Sequence, residues 1–220
     1  MIKPVENKFA RMIFNYYEER LLKKNFEAFF LHNSDFIINP NKALLLLPNH
    51  FSWWDGFLID FLTRKLEIKK NFHIVMLEEQ LKKYWFFRYL GAIGFNPNNP
   101  RGIVELINYL EELLNNPNNL VVFYMQGQIQ FFNEKMELQN GLKLILNKIS
   151  ADFNIKYSFF SFDYFENKTP QINSMLFESL NKAEIVNYFE NFKLHFISKF
   201  SEFNSLKFHN KSKTNIFDKL

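Results

Sequence analysis

The stretch that decides the fold runs from residue 42 to residue 56 and reads KALLLLPNHFSWWDG. Its first half is a short, continuous apolar run, which is typical of a strand buried on both faces of a parallel sheet. The pattern ends after Pro48, and a helix is predicted to begin near Asp55. Sites in such sheets lie beyond the carboxyl ends of the strands, so the loop between these two residues is the first place to look for function.

Two polar residues of this loop, His50 and Asp55, have side chains suited to proton transfer. Five residues apart on a regular helix, they would point about 140° away from each other, but a strand-to-helix turn can bring them together. Asp55 would then accept the Nδ1 proton of His50 and leave Nε2 free to act as a general base. The spacing also fits a packed histidine beside an aspartate that only caps the helix, and it leaves both interpretations open.

The rest of the chain alternates between strand and helix patterns. Further strands are predicted at residues 72–77, 91–95, 120–125, 157–165 and 171–177. Helices are predicted from residue 55, over 78–90, from Asn99-Pro100, after a cap at Asn140, and in a C-terminal segment with a stripe of phenylalanines. Residues 5–31 are predicted to be helical, with a kink or break near residue 25. This order predicts an α/β fold with a mixed, largely parallel sheet flanked by helices and with N-terminal amphipathic helices, in a single domain over residues 1–220.

Composition excludes several classes of function. The 220 residues include no cysteine, which excludes disulfides, thiolate nucleophiles and Cys-bound zinc. The net charge of +4 is spread along the chain without a nucleic-acid motif, so no nucleic-acid partner is expected. No metal site is predicted, because the other histidines lack the spacing of metal ligands. They are His32, His73, His195 and His209. No secretory signal and no apolar run of roughly 20 residues are present, so we expect a cytoplasmic protein, peripheral to the inner face of the membrane.

The motif Asn49-His50-x-Ser52-x-x-Asp55 resembles the His-x4-Asp signature of the glycerol-3-phosphate and lysophosphatidic acid acyltransferases. The order of elements resembles that family from about residue 36 to 165, and the block at residues 123–127 stands where the family has Phe-Pro-Glu-Gly. The resemblance implies an α/β acyltransferase fold, an acyl-CoA or acyl-carrier-protein donor and a membrane-bound acceptor. No bound cofactor is expected.

The chain departs from the family's pattern at its charged residues. Most members continue Glu-Gly-Thr-Arg-Ser, in which the glutamate and arginine contact a phosphorylated glycerol, whereas this chain reads Gln126-Gly127-Gln128-Ile129-Gln130. Arg101 is the nearest basic residue to the place of another family arginine, and it is either a phosphate contact at a helix start or a solvent-exposed side chain. The lost charges favour an acceptor other than lysophosphatidic acid, unless Arg88, Arg101 or Lys156 substitutes for them.

The predicted site has His50 as the general base, supported by Asp55. Gln126 is expected to orient a hydroxyl, and the Gly127 N–H is a candidate oxyanion donor. Further substrate contacts are predicted at Asn49, Ser52 and Arg101. With these residues, the resemblance implies an enzyme that transfers a fatty acyl group from a thioester to a hydroxyl of a lipid-like acceptor. A lipid-binding or scaffolding protein without turnover, and an N-acyltransferase, remain the alternatives.

An aromatic-rich stripe within residues 5–31 lies beside several basic residues. Such a stripe is typical of a helix that lies on a membrane surface, where aromatic burial and attraction to anionic lipid both contribute. The segment is therefore predicted to dock on the bilayer. The alternative is that the same side chains pack on the sheet.

Overall fold

The computed structural model describes residues 1–33, 37–131, 135–164, 166–206 and 213–218. The strands in these ranges are β1 (Phe29–Leu31), β2 (Leu44–Pro48), β3 (Asn71–Leu77), β4 (Ala92–Phe95), β5 (Asn119–Val122), β6 (Asn154–Asp163), β7 (Gln171–Glu178) and β8 (Thr214–Asn215). The helices are α1 (Lys8–Asn25), α2 (Asp55–Lys65), α3 (Glu78–Lys83), α4 (Pro100–Leu114), α5 (Gly141–Lys148), α6 (Lys182–Asn187) and α7 (Phe189–Ser205), and a 3₁₀ helix spans Trp85–Leu90.

The strands form one sheet in the order β4-β3-β5-β2-β6-β7-β1-β8. The five strands from β4 to β6 run parallel to one another, β7 is antiparallel to β6, β1 is parallel to β7, and β8 is antiparallel to β1. The predicted α/β fold with a mixed, largely parallel sheet is therefore confirmed. Strand β2 lies near the middle, between β5 and β6, so its carboxyl end carries the His50 loop to the centre of the sheet edge.

Two hydrophobic cores cover the two faces of the sheet. Alternate leucines of β2 enter opposite cores, with Leu45 and Leu47 on the side of α4, α5 and α7, and Leu44 and Leu46 on the side of α1 and α2. The C-terminal phenylalanine stripe lies in the first of these cores: Phe189, Phe192, Phe196, Phe200 and Phe203. The stripe therefore serves as core packing.

The prediction of helix over residues 5–31 is wrong after Asn25. Helix α1 ends at Asn25 without a break, and residues 29–31 form strand β1. Phe29 and Leu31 are buried there and pair with Ile172 and Ser174 of β7. The sheet supplies backbone hydrogen bonds and burial to this short apolar segment, and both outweigh its helix-like spacing.

Other boundaries also differ from the sequence-based expectation, and β6 begins at Asn154 rather than at residue 157. The helix predicted over 78–90 is divided at Tyr84 into α3 and the 3₁₀ helix. Gly91, which follows the 3₁₀ helix, has φ of 94°. A Cβ at Gly91 would lie 2.0 Å from the carbonyl oxygen of Phe72, so both space and backbone require glycine. The strand predicted over 120–125 ends at Val122, and Asn140 makes no side-chain cap for α5. Phe165, the predicted last residue of β6, and His209 lie outside the described residues.

Candidate functional site

The loop between β2 and α2 brings His50 and Asp55 into contact. His50 Nδ1 lies 2.7 Å from Asp55 Oδ2, and the same oxygen accepts the backbone N–H groups of Phe51 and Ser52 at 2.8 and 3.0 Å. Because this oxygen already accepts two backbone N–H groups, it is placed as an acceptor for Nδ1, and a neutral imidazole that donates from Nδ1 keeps its lone pair on Nε2. The loop thus sets the direction of the ring and favours the tautomer with its proton on Nδ1.

Burial distinguishes the two members of this pair. The Asp55 side chain is 1% exposed and that of His50 is 24% exposed. Burial raises the pKa of the Asp55 carboxyl above its ordinary value, and the hydrogen bonds from His50, Ser52 and Phe51 act in the opposite direction. The carboxylate is therefore held inside the protein by its donors, while the imidazole remains accessible.

Tyr124, just beyond the end of β5, stacks on the His50 ring. The two ring centroids are 4.4 Å apart with an interplanar angle of 29°. Burial, reinforced by the charge of Asp55, raises the pKa of the Tyr124 phenol well above its ordinary value. Its buried hydroxyl makes no hydrogen bond to any described residue. The sequence analysis missed this residue, although a single aromatic polar group at the end of an aliphatic run was a usable signal.

Gln126 holds the backbone of His50 from both sides. Its Oε1 accepts the His50 N–H at 2.5 Å and its Nε2 donates to the His50 carbonyl at 3.0 Å. Gln130, which the sequence analysis did not select, donates its own N–H to the same carbonyl at 3.0 Å. Gln126 is 2% exposed. Its amide therefore positions the histidine, and its predicted contact with a substrate hydroxyl stays a prediction.

An apolar cavity of about 860 Å³ opens beside this pair. Its lining includes His50, Ser52, Gln126 and Gly127, so four of the predicted site residues meet there. Its volume is within the range of about 300–1,000 Å³ that is usual for small-molecule sites. Among the described residues of the lining, the only charged ones are Arg11 and Asp60, and they pair with each other.

Three predicted site residues have other surroundings or partners. Asn49 is buried and bonds through both ends of its amide to the backbone of Phe160, at 3.0 and 2.9 Å, which ties the end of β2 to β6. Arg101 is exposed in the first turn of α4 and is not among the described residues that line the cavity. The Gly127 N–H donates to the Tyr124 carbonyl at 3.3 Å, in a turn where Gly127 has φ of 73°. Their predicted substrate contacts stay predictions.

A second buried carboxylate of α2 borders the same cavity. Asp60 lies 2.9 Å from both terminal nitrogens of Arg11, and Arg64 contacts both Asp60 and the fully buried Glu18. Burial raises the pKa of Glu18 well above its ordinary value, an effect that the charge of Asp60 increases and that Arg64 and Arg11 oppose. The four side chains fasten α1 to α2.

Neither a metal cluster nor a membrane span is found in the described ranges. No group of three or more His, Cys, Asp or Glu side chains is placed there to hold a metal ion. No described helix combines the length and the apolar character needed to cross a membrane.

The fold and the loop together define an α/β protein with a His–Asp pair at the carboxyl edge of its sheet and an apolar cavity beside it. The sequence matches the profile of the family described as Acyltransferase over residues 28–155, more than half of the chain. The chain therefore belongs to the Acyltransferase family, and this membership supports an enzyme that transfers acyl groups.

The structure is similar to the crystal structure of the 1-acyl-sn-glycerophosphate (LPA) acyltransferase PlsC from Thermotoga maritima. The TM-score is 0.61 and the identity is 16%, over 90% of this chain and 80% of that one. This likeness supports the fold. No curated protein sequence matches the chain.

Proposed function

We propose that the chain transfers a fatty acyl group from an acyl thioester, carried by CoA or by acyl-carrier protein, to a hydroxyl of a lipid-like acceptor. The observation that carries the proposal is the 2.7 Å contact between His50 Nδ1 and Asp55 Oδ2, with His50 facing the apolar cavity. The cavity suits an acyl chain, and the free Nε2 suits a hydroxyl proton.

In the proposed reaction, His50 Nε2 removes the proton of the acceptor hydroxyl while the oxygen attacks the thioester carbonyl. The tetrahedral intermediate then expels the thiolate, which takes the proton back from His50, so an ester and a free thiol result. Asp55 keeps the imidazole in the required tautomer and stabilises its positive charge while the proton resides there. Gln126 holds the histidine backbone throughout.

We further propose that the acceptor has no phosphate close to the reacting hydroxyl. The three basic residues that were considered as substitutes for the family's lost charges have other partners or places. Lys156 is buried and paired with Glu178, Arg88 donates to the carbonyl of Lys3, and Arg101 lies outside the cavity lining. A neutral lipid hydroxyl would fit the paired charges of the lining better than lysophosphatidic acid.

A thioester-consumption assay tests the proposed function. Purified protein is supplied with palmitoyl-CoA and a series of hydroxyl acceptors in detergent micelles, among them monoacylglycerol and lysophosphatidic acid, and free thiol and new ester are both measured. We expect acceptor-dependent release of thiol, reduced by at least a factor of about 10² in His50→Ala. Equal rates in the wild type and in a folded His50→Ala protein would refute the role of His50. Bound lipid without any turnover would favour the scaffolding alternative.

We also propose that α1 docks on a membrane surface, which places the site beside its lipid acceptor. Arg11 and Glu18 of this helix point inward to α2. Its exposed residues include basic side chains and five large apolar or aromatic ones that are 52–68% exposed: Phe9, Met12, Ile13, Tyr16 and Tyr17. Trp53, Trp85 and Phe86 are also exposed on neighbouring elements. Exposed apolar side chains are unfavourable in water, and a membrane surface would bury them.

Cosedimentation with vesicles containing anionic lipid tests this docking. Removing the whole N-terminal segment would also remove β1 from the sheet, so substitutions are preferable. We expect Phe9→Ser combined with Ile13→Ser to lower vesicle binding, whereas Val104→Ser, at an exposed site on α4, leaves it unchanged. Undiminished binding by the α1 variant would exclude this helix as the anchor.

A further inference from the structure

The sheet divides between β3 and β5, and the cavity passes through the division. The last pair between these strands joins Ile74 to Val122. Beyond it, the Phe123 N–H donates to Leu46 of β2 at 3.0 Å, while residues 75–77 of β3 continue beside β4. Residues 75–77 and residues 123–125 all line the cavity. The cavity therefore has walls on both faces of the sheet and is continuous across its edge.

Each face contributes its own lobe. The α2 lobe has walls from the core that covers α1 and α2, and its residues include Phe14, Gly56, Phe57, Phe72, Ile74 and Phe87. The α5 lobe has walls from the core on the opposite face, and its residues include Phe95, Ile103, Leu106, Ile107, Gly141 and Ile145. Neighbouring residues of β3 show the division directly, since Ile74 belongs to the core on the side of α1 and α2 and Val75 to the core on the side of α4, α5 and α7.

Tyr124, which stacks on His50, packs against the core on the side of α1 and α2, whereas its neighbours Phe123 and Met125 pack in the opposite core, so the His50 ring lies beside the division. An acyl transfer requires the donor carbonyl and the acceptor hydroxyl to meet at the imidazole, with both chains leading away from it. Two apolar lobes on opposite faces of the sheet supply one path for each chain. The total of about 860 Å³ is near the upper end of the range for sites that hold one drug-sized ligand.

We propose that the two lobes bind two alkyl chains at once, one from the acyl donor and the other from the acceptor. The acceptor is then a lipid with a single long alkyl chain whose hydroxyl lies close to that chain, because its apolar part enters the protein. This inference rests on the proposed function for the identity of the two chains, but the two-chain binding itself does not require turnover.

The lobes can be filled separately by matched substitutions. A Cβ added at Gly56 would lie 3.7 Å from Ile74 Cδ1, and one added at Gly141 would lie 3.8 Å from Phe123 Cζ, so each position has room to start a larger side chain. Gly56→Leu fills the α2 lobe and Gly141→Leu fills the α5 lobe. Ile74→Phe and Ile107→Phe form a second pair, in case either glycine variant fails to fold. Val104→Phe adds bulk on the exposed face of α4, outside the cavity lining, as the control.

Native mass spectrometry of the full chain with dodecanoate, a 12-carbon fatty acid, measures the binding. We expect two saturable molecules on the wild type and on Val104→Phe, one on each single-lobe variant, and none when both lobes are filled. A maximum of one on the wild type, reduced by filling either lobe, would mean that one chain threads through both lobes and would overturn the inference. Two-chain binding without acyl transfer would overturn the proposed function and leave the two-lobe inference standing.

Discussion

Helix α2 carries two buried carboxylates, Asp55 in its first turn and Asp60 five residues later, and each contacts a basic side chain that lines the same cavity. The partners differ in one property. An imidazole, as in His50, is a side chain that can accept a proton and return it during a reaction, whereas a guanidinium, as in Arg11, keeps its proton. The two pairs therefore have similar burial and geometry but different chemical capacity.

The two carboxylates also differ in what holds them. Asp55 accepts two backbone N–H groups from its own loop, so its position is set within six residues. Asp60 is held by arginines from α1 and α2, so its position depends on the packing of two helices. The comparison teaches how a buried carboxylate at a site can be interpreted. A partner that can exchange a proton indicates a chemical role, and contacts that join two helices indicate a structural role.

The largest expected effect comes from the same substitution at both positions. Asp55→Asn should lower turnover by at least a factor of about 10², because an amide can stabilise the wrong tautomer and cannot support the imidazolium charge. Asp60→Asn should lower turnover by less than a factor of about 10, because Arg11 takes no proton from the substrate. Steady-state thioester consumption measures both, and circular dichroism confirms that each variant is folded. Similar losses in the two variants would end the distinction between the pairs.

A smaller loss is expected when the clamp on the His50 backbone is changed. Gln126→Glu removes the donor to the His50 carbonyl and places a carboxylate against it, at a cost of about 1–3 kcal/mol, or about 5- to 150-fold in rate. Protonation of the introduced carboxyl restores a donor, so the deficit should shrink as the pH falls. Gln128→Glu, which adds the same charge on an exposed neighbour, should have a smaller effect with no such pH dependence. Unchanged turnover in Gln126→Glu at pH 8 would show that the clamp is dispensable.

The free energy of unfolding should also distinguish the two carboxylates, with Asp60 contributing to stability and Asp55 reducing it as the pH rises. Asp60→Asn leaves two arginines with one carboxylate fewer, and we expect a loss of about 1–3 kcal/mol in the free energy of unfolding, reduced because both arginines are a quarter exposed. Because the native pKa of Asp55 is raised above 3.8, the native state binds its proton more tightly than the unfolded state. The wild type therefore loses stability from this group as the pH rises from 3.8 through that raised native pKa.

Urea unfolding of both variants over this pH range provides the measurement. Relative to the wild type, Asp55→Asn should gain stability as the pH rises, because it lacks the buried carboxylate. The opposite trend would contradict the raised pKa of Asp55. A stable Asp60→Asn protein would mean that the charges between α1 and α2 contribute little.

The surroundings of Asp55 could largely be predicted from the sequence alone, because they are local in the chain. The apolar run before Pro48 and the spacing from His50 to Asp55 lie within one short segment, so strand, loop and helix start were readable, although the contact between the two side chains needed the structure. The fold class was predictable for the same reason, since alternating strand and helix patterns are local signals.

The surroundings of Asp60 and the role of Gln126 depend on contacts between residues that are distant in the sequence. Arg11 and Asp60 are 49 residues apart, and Gln126 is 76 residues from the backbone that it holds. No periodicity indicates such pairs, which is why the contacts of Gln126 with the His50 backbone were not predicted and Asp60 was not selected. Strand β1 was missed for a related reason, because its conformation is set by pairing with β7, which is more than 140 residues later.

The smallest expected effect concerns the rings that cover the two basic groups. Tyr124 stacks on His50, and Phe72 lies 5.3 Å from the guanidinium of Arg11, so each pair has an aromatic neighbour. Ring contacts of this kind contribute about 0.5–1.5 kcal/mol, and Tyr124→Leu should therefore lower turnover by only about 2- to 10-fold. Tyr124→Phe keeps the ring and removes a buried hydroxyl that has no hydrogen bond to any described residue, so it should retain turnover and gain stability. Turnover and urea unfolding of the two variants separate the ring from the hydroxyl. If Tyr124→Phe loses as much turnover as Tyr124→Leu, the hydroxyl takes part in the reaction, and the site contains a second proton-bearing group beside His50.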